Sequence, residues 1–325
     1  ITAAKKLGRQ YLGIEMSREY ARRARQRVKD AQVGDPLDGP EDPLASAPST
    51  SKGRSRLRLR NGRPVPVLDK DTETAVIEAF KETCAGNSTD FLLCDSVLNK
   101  QFIAACKKSG VPGNAFVWNR LLLRIRKAGK LPKSAATPNR LTFQSMDSYA
   151  FGSEIAMQLL EVDYGMTIDD ILCNPAVAAD LDRLAARYAP GHTSFEYRWA
   201  ALATRKRATK AKRLAKGRFA DWRDAKLPKP MPLSNCDSES LDVPGVYVLS
   251  TSDSQAIYVG ETYDLRKRLL QAMESDAWSQ FAPQKAVVIP SDEPQYQCGL
   301  QALLIYRLRP LLNSQLLRPE LDPAV

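Results

Sequence analysis

The sequence predicts a chain of mixed class, in the order α/β, then all-α, then α/β again. Three observations predict this order. A short apolar strand between helical segments opens the chain, helical periodicity with caps and turns fills the middle, and two alternating strands followed by a helix come near the end. With 325 residues, 43% of them apolar, the chain is long enough for two or three domains with ordinary cores.

The charge of the chain indicates a polyanionic partner. The net charge is +11 and the pI is near 9.4. On charge alone, a membrane surface would serve as well as a nucleic acid. No apolar run reaches the roughly 18 residues of a membrane span and no signal-peptide pattern opens the chain, so we expect a soluble, cytoplasmic protein that binds no membrane. Its expected partner is DNA, in duplex form, although the sequence does not distinguish DNA from RNA.

The cysteines do not have the spacing of a metal site. None forms a C-x-x-C pair, and the chain has one histidine, His192, to assist them. We therefore expect buried thiols in a reducing compartment and no structural metal. The six are Cys84, Cys94, Cys106, Cys173, Cys236 and Cys298.

Residues 1–33 indicate the end of one helix, a strand and a second helix. Gly8 is placed to end the first helix, residues 11–15 are a short apolar strand, and Ser17 can cap a helix that continues through Val28. This is half of a βαβ unit. Because the chain begins with Ile1 rather than methionine, we expect the half that would carry a glycine-rich loop to precede residue 1.

The stretch AAKKLGRQYLGIE resembles the last part of the catalytic domain of site-specific DNA N4/N6 methyltransferases. In that family it follows the glycine-rich loop for S-adenosylmethionine, and the acidic residue that ends the second strand binds the ribose hydroxyls, a role that falls on Glu15 here. The family's D/N-P-P-Y and F-x-G-S-G motifs occur nowhere in this chain. The resemblance, which covers about 30 residues, therefore implies a remnant of a Rossmann-like methyltransferase domain. S-adenosylmethionine would be the cofactor of the parent enzyme, and an ordinary α/β end with a surface glutamate is the alternative.

Residues 34–65 are predicted to be a disordered linker. They are rich in Pro, Gly, Ser and Asp, end in GRSRLRLRNGR, and have no periodicity that could bury a face.

Residues 66–230 are predicted to form a basic helical region with two similar units, at 91–128 and 170–208. Each unit consists of a cap, a helix, a Pro-Gly turn and a basic helix, which is a helix-turn-helix in outline. The turn of about six residues is longer than the usual three or four of DNA-binding helix-turn-helix units. The residues that cap, start or end these helices are Asp95, Gly110, Asn114, Asn174, Pro175 and Ser194.

The second helix of each unit carries the cations that we predict to contact phosphates. In 205–218, eight of fourteen residues are Lys or Arg. Like charges three or four residues apart repel, so we expect something anionic to compensate this helix. A merely solvated face, or a protein-docking role for the helical region, is the alternative. The predicted nucleic-acid residues are Arg120, Arg124, Lys127, Arg205, Lys206, Arg207, Lys210, Lys212 and Arg213.

Residues 231–325 are predicted to form a small α/β domain. Residues 246–249 alternate as a strand, SDSQ turns, 256–259 form a second strand, and a helix follows with Asp264 as its cap. This segment closely resembles the GIY-YIG nuclease superfamily, in which G-I-Y and Y-I-G strands precede a helix with a catalytic arginine and then E-x-x-L-I and P-x-x-N. The matching residues, over about 245–313, are Gly245, Val246, Tyr247, Tyr258, Val259, Gly260, Arg268, Pro310 and Asn313.

The resemblance implies tyrosines that activate water, an arginine that stabilises the phosphorane charge and a glutamate that binds a divalent metal. At the glutamate position this chain has Gln301, and it lacks the histidine that many members carry after the arginine. Because an amide oxygen is a poor anchor for Mg²⁺, we expect the ion only if the site is active. The predicted site, which we expect to be degenerate, consists of Tyr247, Tyr258, Arg268, Gln301 and Asn313.

The function predicted from the sequence is therefore the C-terminal portion of a DNA modification protein. In it, the helical region and the degenerate GIY-YIG domain would bind DNA for a methyltransferase. The enzyme alternative is an active, metal-dependent GIY-YIG endonuclease in a restriction-modification fusion.

Overall fold

The computed structural model describes residues 2–14, 18–35, 69–132, 142–218 and 226–318. It divides into two compact units, 1–68 and 69–325. The architecture is mixed, as predicted: the described residues are mostly helical and contain one four-stranded antiparallel sheet. Nearly all of the predicted linker, and Glu15 with it, lies outside the described residues.

Within its described residues, the first unit contains two helices, α1 (Thr2–Lys6) and α2 (Arg18–Asp30). Gly8 ends α1 as predicted, because its φ of +66° carries the chain out of the helix and its N–H donates to Lys5 O at 2.9 Å. The strand predicted at 11–15 is wrong over its described part: residues 11–14 have no strand geometry, and Leu12 and Ile14 are exposed. An apolar segment becomes a strand only beside a second strand, and the described part of this unit contains none.

The second unit begins with eight helices within its described residues. They are α3 (Lys70–Thr83), α4 (Thr89–Cys94), α5 (Ser96–Lys108), α6 (Ala115–Lys127), α7 (Asp147–Tyr164), α8 (Ile168–Cys173), α9 (Pro175–Tyr188) and α10 (Ser194–Arg218). The predicted caps are confirmed: Asp95 accepts from Val97 N and Leu98 N, both at 2.9 Å, and Asn114 accepts from Val117 N. Pro175, after its cap Asn174, opens α9.

The two helical units are equivalent in more detail than the sequence indicated. Trp118 on α6 and Tyr197 on α10 occupy the same position in their units. Trp118 Nε1 donates to Val111 O at 3.1 Å, in the turn between α5 and α6, and the Tyr197 hydroxyl donates to Ala189 O, in the turn between α9 and α10. Each turn is therefore tied to its second helix by an aromatic side chain.

The remaining elements form the small sheet domain. It consists of β1 (Met231–Pro232), β2 (Gly245–Ser250), β3 (Ala256–Thr262), α11 (Leu265–Glu274), β4 (Lys285–Pro290) and α12 (Pro294–Leu308), with strand order β1-β4-β2-β3. The predicted hairpin, helix and Asp264 cap are confirmed. Tyr247 pairs with Gly260 across the hairpin, and a Cβ on Gly260 would lie 2.4 Å from the Tyr247 hydroxyl oxygen, so only glycine lets this tyrosine cross β3.

Helix α10 joins the helical region to the sheet domain. Its Ala208, Ala211 and Ala215 lie on one face and are buried in a cluster with β2 and α12 residues, among them Val248 and Ile305. The segments on either side of the predicted boundary at 230/231 therefore share a hydrophobic core within one compact unit. The predicted domain boundary itself stays a prediction.

Five of the six cysteines are buried, as expected, and Cys84 is partly exposed. Among the described helices, none combines the length and apolarity that crossing a membrane requires.

The small-residue contact between α10 and the sheet domain generates a stability prediction. Ala211 is 1% exposed, so Ala211→Leu would overpack this contact and should lower the free energy of unfolding by roughly 1–3 kcal/mol. Thr209→Leu is the matched control, because Thr209 is exposed on the same helix and its replacement should change stability by no more than about 0.5 kcal/mol. Urea unfolding followed by circular dichroism measures both, and equal stabilities would contradict the packing.

Candidate functional site

The residues predicted from the nuclease resemblance meet around β3. The rings of Tyr247 and Tyr258 have centroids 6.1 Å apart. Asn313 holds the β3 backbone from both sides, since its Oδ1 accepts from Val259 N at 2.7 Å and its Nδ2 donates to Val259 O at 2.8 Å. Gln301 Nε2 donates to the same carbonyl at 3.3 Å, and Arg268 lines a cleft with Tyr258 and Gln301. The sequence therefore identified a set of residues that the fold brings together.

Helix α7 adds to this set a buried carboxylate, Glu154, that was not predicted from the sequence. Glu154 Oε2 accepts from the Tyr258 hydroxyl at 2.8 Å, and its Oε1 accepts from Asn313 Nδ2 at 3.0 Å and from Ser314 N at 3.2 Å. The side chain is buried, and within the described residues no Lys or Arg forms a salt bridge with it. Three donors of the sheet domain are thus occupied by one side chain of the helical region.

Arg268, which the nuclease resemblance implies as the catalytic arginine, is also bound by α7. Arg268 Nη2 donates to the backbone carbonyl of Asp147 and to its Oδ2, the latter at 3.2 Å. The guanidinium lies over the Phe151 ring, 4.0 Å from its centroid, and Thr262 Oγ1 donates to the same Asp147 carboxylate at 2.9 Å. Arg268 is 4% exposed, so most of its guanidinium is withdrawn from solvent, and what remains lines the small cleft and a larger groove beside Ser148.

Residues of helix α10 line the other side of the cleft. Arg207 donates from both terminal nitrogens to the two oxygens of Glu261, one of these bonds at 2.9 Å. Its Nε lies 3.0 Å from Cys298 Sγ and its guanidinium is 4.2 Å from the Phe143 ring centroid. Glu261, the carboxylate next to the second nuclease motif, is therefore the partner of a cation that we had predicted to contact DNA.

Burial controls the protonation of the site. It raises the pKa of Glu154 to about 7, against the opposite effect of the hydrogen bonds from Asn313, Tyr258 and Ser314. Burial also raises the pKa of Tyr247 to about 12, and burial together with Glu154 raises the pKa of Tyr258 well above its ordinary value. Both phenols therefore remain protonated at neutral pH and do not act as bases for water.

The residues present do not fit a divalent metal. Gln301 offers a neutral amide oxygen where the resemblance implies a carboxylate, and the oxygens of Glu154 accept from three donors. Across the described ranges, no three His, Cys, Asp or Glu side chains are grouped so that they could hold a metal ion. The predicted S-adenosylmethionine residue, Glu15, lies outside the described residues.

The cleft that remains is small. It has a volume of about 50 Å³, which is room for a few water molecules and not for a phosphodiester. Searches of known protein families, of curated proteins and of solved structures found no match to this chain.

Five of the nine predicted nucleic-acid residues are held in internal ion pairs. Arg207 pairs with Glu261 as described, and Arg120 Nη1 lies 3.1 Å from Asp170 Oδ1. The other three are Lys127, Arg205 and Lys206, whose partners are Asp169 and Asp90. The anion that we expected to compensate the basic helix is thus supplied in part by neighbouring helices.

These pairs are reciprocal between the two helical units. Asp90 on α4, directly before the first unit, binds Arg126 of that unit and Lys206 of the second unit, the latter at 2.8 Å. Asp169 on α8, directly before the second unit, binds Arg205 of that unit and Lys127 of the first, the latter at 3.4 Å. Reciprocal contacts of this kind indicate that the two helical units are related by an approximate two-fold axis. Burial opposes the charge of Asp90, but Lys206 and Arg126 hold its pKa below the ordinary value.

Four predicted nucleic-acid residues have no salt bridge within the part of the chain that the structure describes. Arg124 on α6 is exposed, and on α10 Lys210 and Arg213 are exposed while Lys212 is partly buried. These four cations are the part of the predicted set that is available to an external anion.

Two signals in the sequence would have found the missed acidic residues. Glu154 is a single carboxylate within the apolar run AFGSEIAMQLL, which is typical of a buried polar group with specific partners. Asp90 and Asp169 occupy equivalent places in TDFLLC and IDDILC, directly before the stretches in which the repeat was recognised. Extending the repeat by one short helix would have indicated the internal partners of the cations.

The raised pKa of Glu154 generates a prediction for stability against pH. A folded-state pKa of about 7 lies above the ordinary 4.5, so the folded state binds the proton more tightly. Stability should therefore fall as pH rises from about 4.5 to about 7, by roughly 3 kcal/mol at about 1.4 kcal/mol per pKa unit, and should then level off.

Glu154→Gln should flatten this dependence, because its oxygen can accept from Asn313 and Ser314 while its amide donates to Tyr258. Asp163→Asn, an exposed change on the same helix, is the control and should keep the native profile. Urea midpoints at several pH values decide this: a Glu154→Gln profile that superimposes on the native one would show that Glu154 does not titrate in this window.

Proposed function

We propose that residues 69–318 form a DNA-binding module that does not cleave DNA, and that the chain is the C-terminal portion of a site-specific DNA modification protein. The observation that supports the absence of cleavage is that α7 covers and binds the residues that resemble a nuclease site. Donors that would meet a scissile phosphate are bound to carboxylates of the same chain, Glu154 and Asp147. In this role, the GIY-YIG-like domain is an anchor for the helical region.

Three features support the absence of cleavage. The tyrosines are protonated and 1% exposed, the metal position holds Gln301, and the cleft admits only water. A phosphodiesterase of this kind needs an accessible phosphate site and a hard-cation ligand, and the closed arrangement supplies neither.

Two features support DNA as the partner. The exposed cations of α10 form a one-signed stretch, in which Lys210, Arg213 and Lys216 are exposed and lie one helical turn apart. The N-terminal resemblance to DNA methyltransferases also supports DNA as the partner, since a DNA-binding module on the same chain would hold the methylating domain near its substrate. The resemblance to the GIY-YIG superfamily, whose members act on DNA, points to the same partner.

The closed cleft generates a cleavage prediction. Native protein with Mg²⁺ or Mn²⁺ should leave supercoiled plasmid intact, and Gln301→Glu should leave it intact as well, because restoring the carboxylate does not remove α7. Gel electrophoresis of the plasmid measures this. Nicking by the native protein that disappears in Arg268→Ala would overturn the proposal in favour of an active endonuclease.

The division between paired and unpaired cations generates a binding prediction. Lys210, Lys212 and Arg213, replaced together by Gln, should flatten the dependence of duplex binding on salt, since each lost phosphate contact removes about 0.9 from the logarithmic slope. The matched control replaces Lys127, Arg205 and Lys206 by Gln, which removes the same charge from cations paired with Asp90 and Asp169. It should lower stability and leave most of the slope.

Fluorescence anisotropy with a short duplex at several salt concentrations measures both slopes, with a single strand and an RNA duplex as competitors. An unchanged slope in the first variant would remove α10 from the interface. A chain that binds none of the three nucleic acids would instead favour a protein-docking role for the helical region.

A further inference from the structure

A second group of reactive side chains lies at the N-terminal end of α7. Ser148 Oγ is 3.3 Å from His192 Nε2, and His192 Nδ1 is 3.7 Å from Glu196 Oε1. His192 is the single histidine of the chain. A hydroxyl, an imidazole and a carboxylate in this order, on opposite nitrogens of the ring, are the parts of a nucleophile activated by an oriented general base.

The imidazole is held from several sides. Its ring packs on Tyr149, with centroids 4.4 Å apart, and its backbone N–H donates to the Tyr197 hydroxyl at 3.4 Å. Glu196 Oε2 is fixed by Thr193, which donates from N at 2.7 Å and from Oγ1 at 2.8 Å. The other oxygen of Glu196 lies 3.7 Å from Nδ1, and in the tautomer with its proton on Nδ1 the ring would offer Nε2 as an acceptor for the Ser148 hydroxyl.

The carboxylate stays charged in this arrangement. The backbone hydrogen bond from Thr193 is the largest influence and lowers the pKa of Glu196, with smaller contributions from the Thr193 side chain and His192. An ionised Glu196 would stabilise the imidazolium that forms when His192 takes a proton.

The backbone around Ser148 is suited to stabilise an oxyanion. Ser148 is the second residue of the 18-residue helix α7, so its N–H lies at the positive end of the helix dipole. Asp147 N and Tyr149 N donate to Gln144 O and Met146 O, whereas Ser148 N has no backbone acceptor within the described residues. An N–H beside the nucleophile is where an oxyanion donor is needed.

Ser148 also lines a groove. Ser148 lines an open depression of about 570 Å³ together with residues of α11, among them Arg266, Lys267 and Arg268. The same groove is lined by Thr262 and by the carboxylates of Asp147, Asp242, Asp264 and Glu274. This volume lies within the range of small-molecule sites, roughly 300–1,000 Å³. The lining is largely polar, which favours a small substrate that carries polar groups beside its reacting carbonyl.

We propose that Ser148, His192 and Glu196 form a hydrolytic site for small carboxylic esters, independent of the DNA-binding function. Ser148 Oγ attacks the carbonyl carbon while its proton passes to His192 Nε2, and the oxyanion forms near Ser148 N. The C–O bond to the alcohol then breaks, and the alcohol takes the proton from His192. Water repeats the two steps on the acyl-serine, which releases the acid and restores Ser148. Ser148 and His192 are the catalytic residues, and Glu196 is a positioning residue.

The test uses the full chain and a fluorophosphonate probe. In that reaction the serine oxygen forms a bond to phosphorus, fluoride leaves and the proton passes to His192. Mass spectrometry of the digested protein should find the label on Ser148. Ser148→Ala should abolish labelling, and His192→Phe, which keeps a ring against Tyr149, should slow it at least about 100-fold. Ser145→Ala is the control, since Ser145 is an exposed serine that bonds only to Thr142.

Hydrolysis of p-nitrophenyl butyrate against pH tests the positioning residue. Glu196→Gln retains an oxygen for Thr193, so the helix start is preserved, but it removes the charge beside Nδ1. The rate should fall and the lower pH limb should move to lower pH, because the imidazolium loses the carboxylate that stabilises it, whereas a purely structural role would leave the profile in place. Labelling that is absent from Ser148, or that persists at the native rate in His192→Phe with an unchanged melting temperature, would overturn the proposal.

Discussion

The buried carboxylate of Glu154 is the interaction on which the arrangement of the second unit depends. A carboxylate removed from water without a cation is costly unless donors replace its hydration, and here Tyr258, Asn313 and Ser314 supply three hydrogen bonds. These donors come from β3 and from the segment after α12, so α7 has one position in which the carboxylate is satisfied. In that position the first residue of α7, Asp147, meets Arg268. Helix α10, which packs on α7, places its alanine face in the core of the sheet domain.

This arrangement shows how one set of side chains can serve two kinds of contact. Hydroxyl, amide, backbone N–H and guanidinium donors that converge on one point are suited to an anion, whether that anion is a phosphodiester or a carboxylate. In this chain, Glu154 accepts from Tyr258, Asn313 and Ser314, and Asp147 accepts from Arg268 Nη2. Among the described residues, the Tyr247 hydroxyl and Arg268 Nε have no hydrogen-bond partner. The same principle applies to the helical units, where Asp90 and Asp169 neutralise cations that the sequence alone presents as a binding face. In the helical units, the charge available to a partner is therefore smaller than the count of Lys and Arg suggests.

Local features of the chain could be predicted, and contacts between distant segments could not. The caps at Asp95, Asn114 and Asn174 depend on residues two or three positions away, and the hairpin with its tyrosine spacing depends on strand alternation, so both follow from short stretches. The strand at 11–15 failed because its formation requires a neighbouring strand, which short-range pattern does not contain. The closure by Glu154 joins positions more than 100 residues apart, and without homologues nothing in the sequence relates them.

The ion pair and hydrogen bonds between Asp147 and Arg268 test the central claim most directly, because they join α7 to the nuclease-type helix of the sheet domain. The measurement is a double-mutant cycle, with free energies of unfolding for the native chain, Asp147→Ala, Arg268→Ala and the pair. For groups in contact in a buried site, we expect a coupling energy of about 1 kcal/mol or more. Additive effects, with a coupling near zero, would mean that α7 does not cover Arg268 in solution and would contradict the closed site.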